Sequence, residues 1–422
     1  MDSGPIGAVA DVCRRIDAVD GRLHSFVPEP DRLARLTDDV THAHAEAGSA
    51  ERPLLGIPVG VKDIITVDGL PMRAGSTVPA EEFAGPEASA VGRLRRAGAL
   101  IAGKTATAEF AYADPAPTVN PHDPRRSPGG SSSGSAAAVA AGIVPIALGT
   151  QTVDSVITPA SYCGVVGYKP TYGRVPADGV LPFSRSMDHL GVLAASIEWV
   201  ARAATVLIDG FRSVPAPGQL VLGIPAAPFL EQAETATLEQ FQKVVDVLRG
   251  RGHRTVAASL PFDPQEITTV HRHLNAAQFF LEHRSRFERY GFRYRPRSAE
   301  LFSEGEAIDN AAVGEGERSG RALRHLLMTD MDRGDIDAWV APAATGAAPI
   351  GLDARGNTAM AVPWTHAHLP AVTVPAGAVD GLPIGLQVIG RYGADEELLA
   401  VAGWVVRIIA SSIEPPMAKL RA

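Results

Sequence analysis

Residues 127–142 read Ser127-Pro-Gly-Gly-Ser131-Ser-Ser-Gly-Ser-Ala-Ala-Ala-Val-Ala-Ala-Gly142, and an almost unbroken apolar run continues from Ile143 to Leu148. Taken alone, the glycine- and serine-rich part has the composition of a flexible linker. Here it passes straight into residues 135–142, which read as a helix opened by a serine cap and closed by glycine. The apolar run 143–148 then reads as a buried strand. A loop that feeds a helix and then a strand belongs to an α/β layer, not to a linker.

The alternation extends in both directions. Segment 54–67 is β-like, with Ile57, Val59, Val61, Ile64 and Ile65 clustered between Pro53 and Gly69. A helix over 88–97 stops at Gly98, and a strand over 99–102 follows. Residues 164–168 read as another strand. Over 237–249, Leu238, Phe241, Val244, Val245 and Leu248 recur at helical spacing. Residues 6–50 read as helical with a stop near Gly48, and residues 265–333 as a polar, peripheral helical layer. Strands return at 338–341, 371–375 and 386–389. Asp395-Glu396-Glu397 then opens a last helix, its acids favouring the N-terminal dipole. No linker-like boundary or repeat interrupts the pattern. The expectation is one large α/β domain over residues 1–422, a central mixed β-sheet flanked by many helices.

Composition narrows the function classes. The chain has 422 residues, 45% hydrophobic and 20% charged, which suits a soluble globular protein with an ample core. A formal charge of −8 excludes a general nucleic-acid binder, which needs a basic field. Two cysteines, Cys13 and Cys163, are too few for a disulfide framework or a thiolate metal site, a usage that fits a reducing cytoplasm. The N-terminus has no basic region followed by an apolar core, so no secretory signal is expected. Residues 136–148 are too short, and too broken by Gly142 and Pro145, to span a bilayer.

Three segments carry the chemistry: Val61-Lys62-Asp63, the serine loop, and Gly149-Thr150-Gln151-Thr152-Val153-Asp154-Ser155. Most lysines are solvated, but the apolar neighbours of Lys62 suggest a buried strand. Burial lowers the pKa of an amine and leaves it neutral, able to accept a proton. Asp63 is expected on the other side of the strand in a structural hydrogen bond. Ser155 lies on a turn before Pro159. A serine attacks carbonyls only with a base and oxyanion donors, and successive N–H groups from Thr152 to Ser155 can supply the donors. An ordinary turn serine fits that segment equally well when it is read alone.

Other readings fail on context. Gly130-Ser131-Ser132-Ser133-Gly134 matches a nucleophile elbow, but that motif needs a strand before it, and Pro121, Pro124 and Pro128 disrupt one. No Gly-Lys-Ser/Thr ends the loop, as a phosphate-binding loop requires. The histidine pairs His42/His44, His271/His273 and His366/His368 share a face only on a strand, and neither His-Glu-x-x-His nor a cysteine partner accompanies them. No metal and no cofactor are expected. Whether His366 and His368 approach a pocket is not legible.

At this point the residues resemble a family. The runs Gly56-Ile-Pro-Val-Gly-Val-Lys62-Asp, Ser127 to Gly142, and Ala147-Leu-Gly-Thr through Ser155, Pro159-Ala and Cys163-Gly-Val-Val-Gly-Tyr-Lys-Pro-Thr-Tyr-Gly173 are similar to the amidase signature family. The likeness is dense over about 50–200. It returns at Ala341-Pro342, Pro363-Trp364-Thr365, Leu369-Pro370-Ala371 and Gly381-Leu-Pro-Ile-Gly-Leu-Gln387. Gln151, where many members have aspartate, and Ser133 resemble the small malonamidase-like bacterial branch. The resemblance implies a Ser–cis-Ser–Lys triad. Ser155 would be the nucleophile, Ser131 the proton shuttle across a cis Gly130–Ser131 peptide, and neutral Lys62 the final base. It also implies a small-molecule amide substrate, met by Gly130, Asp154 and Thr158. A homodimer is compatible with it.

The chain departs from the family beside the nucleophile. Two glycines usually precede it, and here they are Val153 and Asp154, which should alter the oxyanion turn. Carboxylate-recognising members carry an arginine just after the nucleophile. With Thr158 read as the equivalent position, this chain has none. Three functions follow: an amidase of altered substrate, an amidase fold that binds but hardly hydrolyses, or the glutaminase subunit of a tRNA-dependent amidotransferase.

Overall fold

The computed structural model describes residues 4–45, 52–309, 311–354 and 356–422, with the side chains of residues 4–6 and 42–45 outside that description. The expected stop near Gly48 therefore lies outside the described residues, as do the side chains of the pair His42/His44. Two helices, α1 (Gly4–Leu23) and α2 (Arg32–Ala45), precede strand β1 (Pro58–Lys62). Residues 24–31, with Pro28 and Pro30, separate these helices where a single helical stretch is expected. Then come α3 (Ser89–Arg96), β2 (Leu100–Thr105), α4 (Ser133–Ala140), β3 (Ile146–Gln151), α5 (Ile157–Cys163), β4 (Val166–Lys169) and β5 (His189–Ala194). The second half runs α6 (Ile197–Leu207), β6 (Val221–Pro225), α7 (Thr235–Gly250), β7 (Arg254–Ala258), α8 (Pro264–Tyr290), α9 (Pro296–Glu306) and α10 (Ala311–Gly334). It closes with β8 (Ala338–Pro342), α11 (Val362–His366), β9 (Ala371–Val379), β10 (Leu382–Ile389) and α12 (Asp395–Ala410).

Among the described residues the strands form one mixed ten-stranded sheet, in the order β2-β1-β3-β5-β4-β9-β10-β8-β6-β7. β1 pairs parallel with β2 and β3, while β5, β4, β9, β10 and β8 run successively antiparallel. Strand alternation sorts side chains to two faces. Ile146, Leu148, Val340 and Val388 enter one apolar cluster. Their neighbours enter others: Ala147 joins α1 and α4, and Trp339 and Ile389 join α10 and α11. Val59 and Val61 belong to the first face, so Lys62 projects to the face covered by α4 and α5.

The β-like segment 54–67 yields only β1. The chain turns at Ile64 and Ile65, whose N–H groups bond back to the Lys62 carbonyl. The strand expected over 143–148 begins three residues later and extends to Gln151, the edge of the nucleophile turn. The serine cap expected for α4 is not made: Ser132, at its N-terminus, forms no side-chain cap bond. Its hydroxyl donates to the Thr150 carbonyl at 3.2 Å, and Ser135 Oγ donates to the Leu148 carbonyl at 2.9 Å. The serines tie α4 to β3 instead. Two glycines let the loop and α4 approach other segments closely. A Cβ on Gly134 would stand 2.3 Å from the Ser25 carbonyl, and Gly129 combines φ +79° with a would-be Cβ 2.8 Å from Pro159 Cα.

Candidate active site

Lys62 ends β1 fully buried, with Nζ 2.7 Å from Ser131 Oγ and 2.8 Å from Thr150 Oγ1. The Gly130–Ser131 peptide is cis. Burial pulls the lysine pKa down to about 7, while the charges of Asp188 and Asp154 pull the other way. Asp188 is buried too. Desolvation raises its pKa to about 6, against the hydrogen bond from Thr152 Oγ1 at 2.6 Å, the Phe183 and Ser184 N–H groups, and Lys62. Asp63 takes the structural role expected of it: it pairs with Lys104 at 3.0 Å and accepts the Arg73 N–H.

Ser155 is buried on the turn between β3 and α5. The structure thus brings Lys62 and Ser131 into contact, while a Ser131–Ser155 hydrogen bond is not among those formed. No backbone carbonyl of the described residues takes up the N–H of Thr152, Val153 or Ser155. Neither Val153 nor Asp154 has a positive φ, so this turn does not use the conformations that glycine alone adopts readily. Side chains hold the turn. Gln151 Oε1 accepts from the Val156 and Ile157 N–H groups at 2.9 and 3.0 Å. Gln151 Nε2 donates to Thr365 Oγ1 at 2.9 Å, and Thr365 Oγ1 donates to the Val153 carbonyl.

Asp154 faces inward, 2% exposed, where its charge bears on Lys62 and Tyr162. Thr158 is buried in α5, its N–H bonded to the Asp154 carbonyl. Ile157 packs with Phe229, Trp339 and Trp364. Neither residue offers a cation. Gly130 borders a small cleft with Tyr112, Pro128, Gly129 and Ser133. Tyr112 also borders a cavity of about 190 Å³ that reaches Val153 and His271.

His271 joins the site from α8. Its Nε2 lies 3.0 Å from the Thr152 carbonyl and its Nδ1 3.2 Å from His366 Nδ1, while His366 Nε2 lies 3.2 Å from Ser319 Oγ. A carbonyl accepts only, so His271 Nε2 carries the proton, and the chain of tautomers then runs from Ser319 through His366 to His271. Burial holds both imidazoles neutral, His366 at about 4 and His271 well below its ordinary value. His368 stacks on Tyr172 and bonds the Ser186 carbonyl. Sequence reading missed Asp188 and the roles of Thr150 and His271. Thr150 and Thr365 lay within matching runs, Gln151 stood out as a departure from the family pattern, and His271 was named only within a pair set aside as a metal site.

The amidase family model matches residues 7–399. The chain belongs to the amidase family. One component of the Glutamyl-tRNA(Gln) amidotransferase of Chloroflexus aggregans is 32% identical over 93% of this chain and 91% of its own length. A solved amidase structure superposes with a TM-score of 0.83 at 30% identity, covering 96% of each chain. The native peptide amidase of Stenotrophomonas maltophilia does so with 0.84 at 26% identity, over 98% of this chain and 95% of that one. These amidase-family structures match the ten-stranded mixed sheet described above. No helix among the described residues is long and apolar enough to cross a membrane.

Proposed function

We propose that this amidase-family chain hydrolyses a small-molecule carboxamide through an acyl-serine intermediate. One observation carries the reading: a fully buried lysine, its pKa near 7, within 2.7 Å of the Ser131 hydroxyl. Ser155 Oγ bonds to the substrate carbonyl carbon as its proton passes to Ser131 and that of Ser131 to neutral Lys62. The N–H groups of Thr152, Val153, Asp154 and Ser155 receive the oxyanion. As the C–N bond breaks, the proton returns through Ser131 to the leaving nitrogen. Water then cleaves the ester by the same relay, releasing the acid and free Ser155. The relay adds one contact, Ser131 to Ser155, which closes on substrate; catalytic hydrogen bonds are often long before substrate binds. Gly130, Asp154 and Thr158 contact the substrate in this reading.

The test is intact-mass measurement after exposure to a serine-reactive phosphonate. One adduct mapped to Ser155 is expected. Labelling at Ser132, or no labelling together with inert amides, overturns the proposal and favours a fold that binds without hydrolysing. A glutaminase-type amidotransferase component is the second reading, favoured by the name of the 32%-identical relative. Buried Thr158, at the position read as that of the carboxylate-recognising arginine, speaks against it, since it offers no cation to a substrate carboxylate. Glutamine hydrolysis that appears only with added partner subunits would support this second reading.

A further inference from the structure

The peptide unit between Thr152 and Val153 is held from behind. Its carbonyl accepts a hydrogen bond from His271 Nε2 at 3.0 Å, reached from α8. Among the described residues the cis peptides are Gly130–Ser131 and Ala227–Pro228, so this unit is trans, and its C=O and N–H point in opposite directions. The Val153 N–H therefore points away from the His271 ring, and no backbone carbonyl of the described residues takes it up. Thr365 Oγ1 holds the Val153 carbonyl at 2.8 Å in the same way, which fixes the next unit, whose N–H belongs to Asp154. Both units lie on the turn that leads from β3 into Ser155.

His271 is itself fixed. Its Nδ1 lies 3.2 Å from His366 Nδ1, with the two rings at 88° to each other, and His366 Nε2 lies 3.2 Å from the hydroxyl of Ser319 on α10. A neutral imidazole has one donor and one acceptor nitrogen. With the Thr152 carbonyl as acceptor, His271 donates from Nε2, His366 donates from Nδ1, and Ser319 donates to His366 Nε2. Every proton of the chain then has a place, and His271 has no lone pair left with which to deprotonate a nucleophile. Burial, which keeps both rings neutral, agrees with this count. The helices that carry the chain meet closely: a Cβ on Gly320 of α10 would stand 2.5 Å from the His366 carbonyl, and one on Gly316 would stand 2.8 Å from Leu274 Cβ of α8. Resting on the amidase reading above, we propose that His271 is a positioning residue of the oxyanion site. It aims the Val153 N–H at the oxyanion by holding the other end of the same peptide, and it touches no reacting atom itself. His366 and Ser319 keep its imidazole in the one tautomer that can do so.

The test is the rate at which an alkyl fluorophosphonate modifies Ser155, followed by intact mass. The Ser155 oxygen bonds to phosphorus, fluoride leaves, the serine proton passes through Ser131 to Lys62, and the phosphoryl oxygen takes the oxyanion position. His271→Phe keeps an aromatic ring but removes the N–H, whereas His271→Gln returns an N–H donor at similar reach. His271→Phe is expected to slow bond formation by about twentyfold or more, while the reversible binding constant of the reagent stays within about twofold. His271→Gln should recover to within about fourfold of the unmutated rate. The pH midpoint of labelling should stay in place, because Lys62 is untouched. An unchanged rate in His271→Phe, a glutamine variant as slow as the phenylalanine one, a loss confined to reagent binding, or a shifted midpoint overturns the inference. Melting curves report folding. If His271→Phe does not fold, His366→Phe replaces it, keeping His271 but removing the donor that sets its tautomer; a slowing of about threefold or more is then expected, and an unchanged rate overturns the inference. No labelling of the unmutated chain at Ser155 overturns the amidase reading and this inference with it. Labelling at Ser155 that is equally fast in every variant overturns the inference alone.

Discussion

Lys62 shows how one residue is turned into a base by its surroundings. Its β1 neighbours remove it from water, and its contacts to Ser131 and Thr150 are hydrogen bonds that a neutral amine can also make. With a pKa near 7 it is protonated below neutrality and cannot accept a proton there, so kcat/KM should rise from pH 6 to 8 and then level. Asp188 stabilises the ammonium. Removing its charge should lower the lysine pKa further, so Asp188→Asn should move the rising limb to lower pH while Lys62→Ala abolishes activity. A limb that stays in place in Asp188→Asn, or persists in Lys62→Ala, counts against this assignment. Asp154 sets a second expectation, since two buried carboxylates, with Arg272 of the cavity wall already paired to Glu304, disfavour an anionic substrate. A full charge pair about 4 Å apart at an effective dielectric of about 20 is worth about 4 kcal/mol. A quarter of that changes selectivity about fivefold. Asp154→Asn should therefore raise the ratio of kcat/KM for anionic over neutral amides about fivefold, and an unchanged ratio would mean that the carboxylate does not reach the substrate.

At the scale of elements, the turn between β3 and α5 holds its shape through side chains from distant segments. Gln151 serves two backbone N–H groups at the start of α5, and Thr365 and His271 reach in from α11 and α8. Gln151→Met keeps the volume but strands two buried donors, each costing about 1–3 kcal/mol. Urea unfolding should show a loss of about 2–6 kcal/mol, and kcat should fall more than KM rises, because the oxyanion donors lose their alignment. A variant with wild-type stability and kcat would show that the backbone alone shapes the turn. The helical region 265–333 was legible as helices, yet its role was not. Polarity marked it as peripheral, but Thr268, His271 and Asn275 turn inward to wall the cavity. Helical periodicity identifies a face and does not reveal what that face meets. Strands β5, β6 and β7 also escaped prediction; β7, at the sheet edge, has no fully buried position to mark it.

Across the whole molecule the described structure lowers more histidine pKa values by burial than it raises carboxyl ones. Seven histidines (122, 189, 253, 271, 283, 366 and 368) have lowered pKa values, mainly through burial. Three carboxyls, Asp63, Glu109 and Asp188, are raised by the same cause. Near pH 5 the unfolded chain binds protons on histidines that the folded chain keeps neutral. The raised carboxyls act in the opposite sense but are fewer. The histidine contribution to stability is thus fully present above the ordinary histidine value of 6.5 and should be lost as pH falls toward about 4, the value of His366. Urea midpoints measured from pH 7.5 to 4.5 check this, and a flat profile would contradict it.

The sequence by itself determined the family, the alternating α/β architecture and the three residues proposed for the chemistry. All of these are written in short contiguous segments, where turn residues, strand runs and the spacing of lysine and serines act locally. Only the tertiary structure decided how far Lys62 is buried and its pKa lowered, that Val153 and Asp154 leave the turn free of positive φ, and that Asp188, His271, Thr365 and Asn275 surround it. Those properties depend on desolvation and on hydrogen bonds between residues up to 214 positions apart. Such interactions exist only once the sheet and its covering helices have closed around the site.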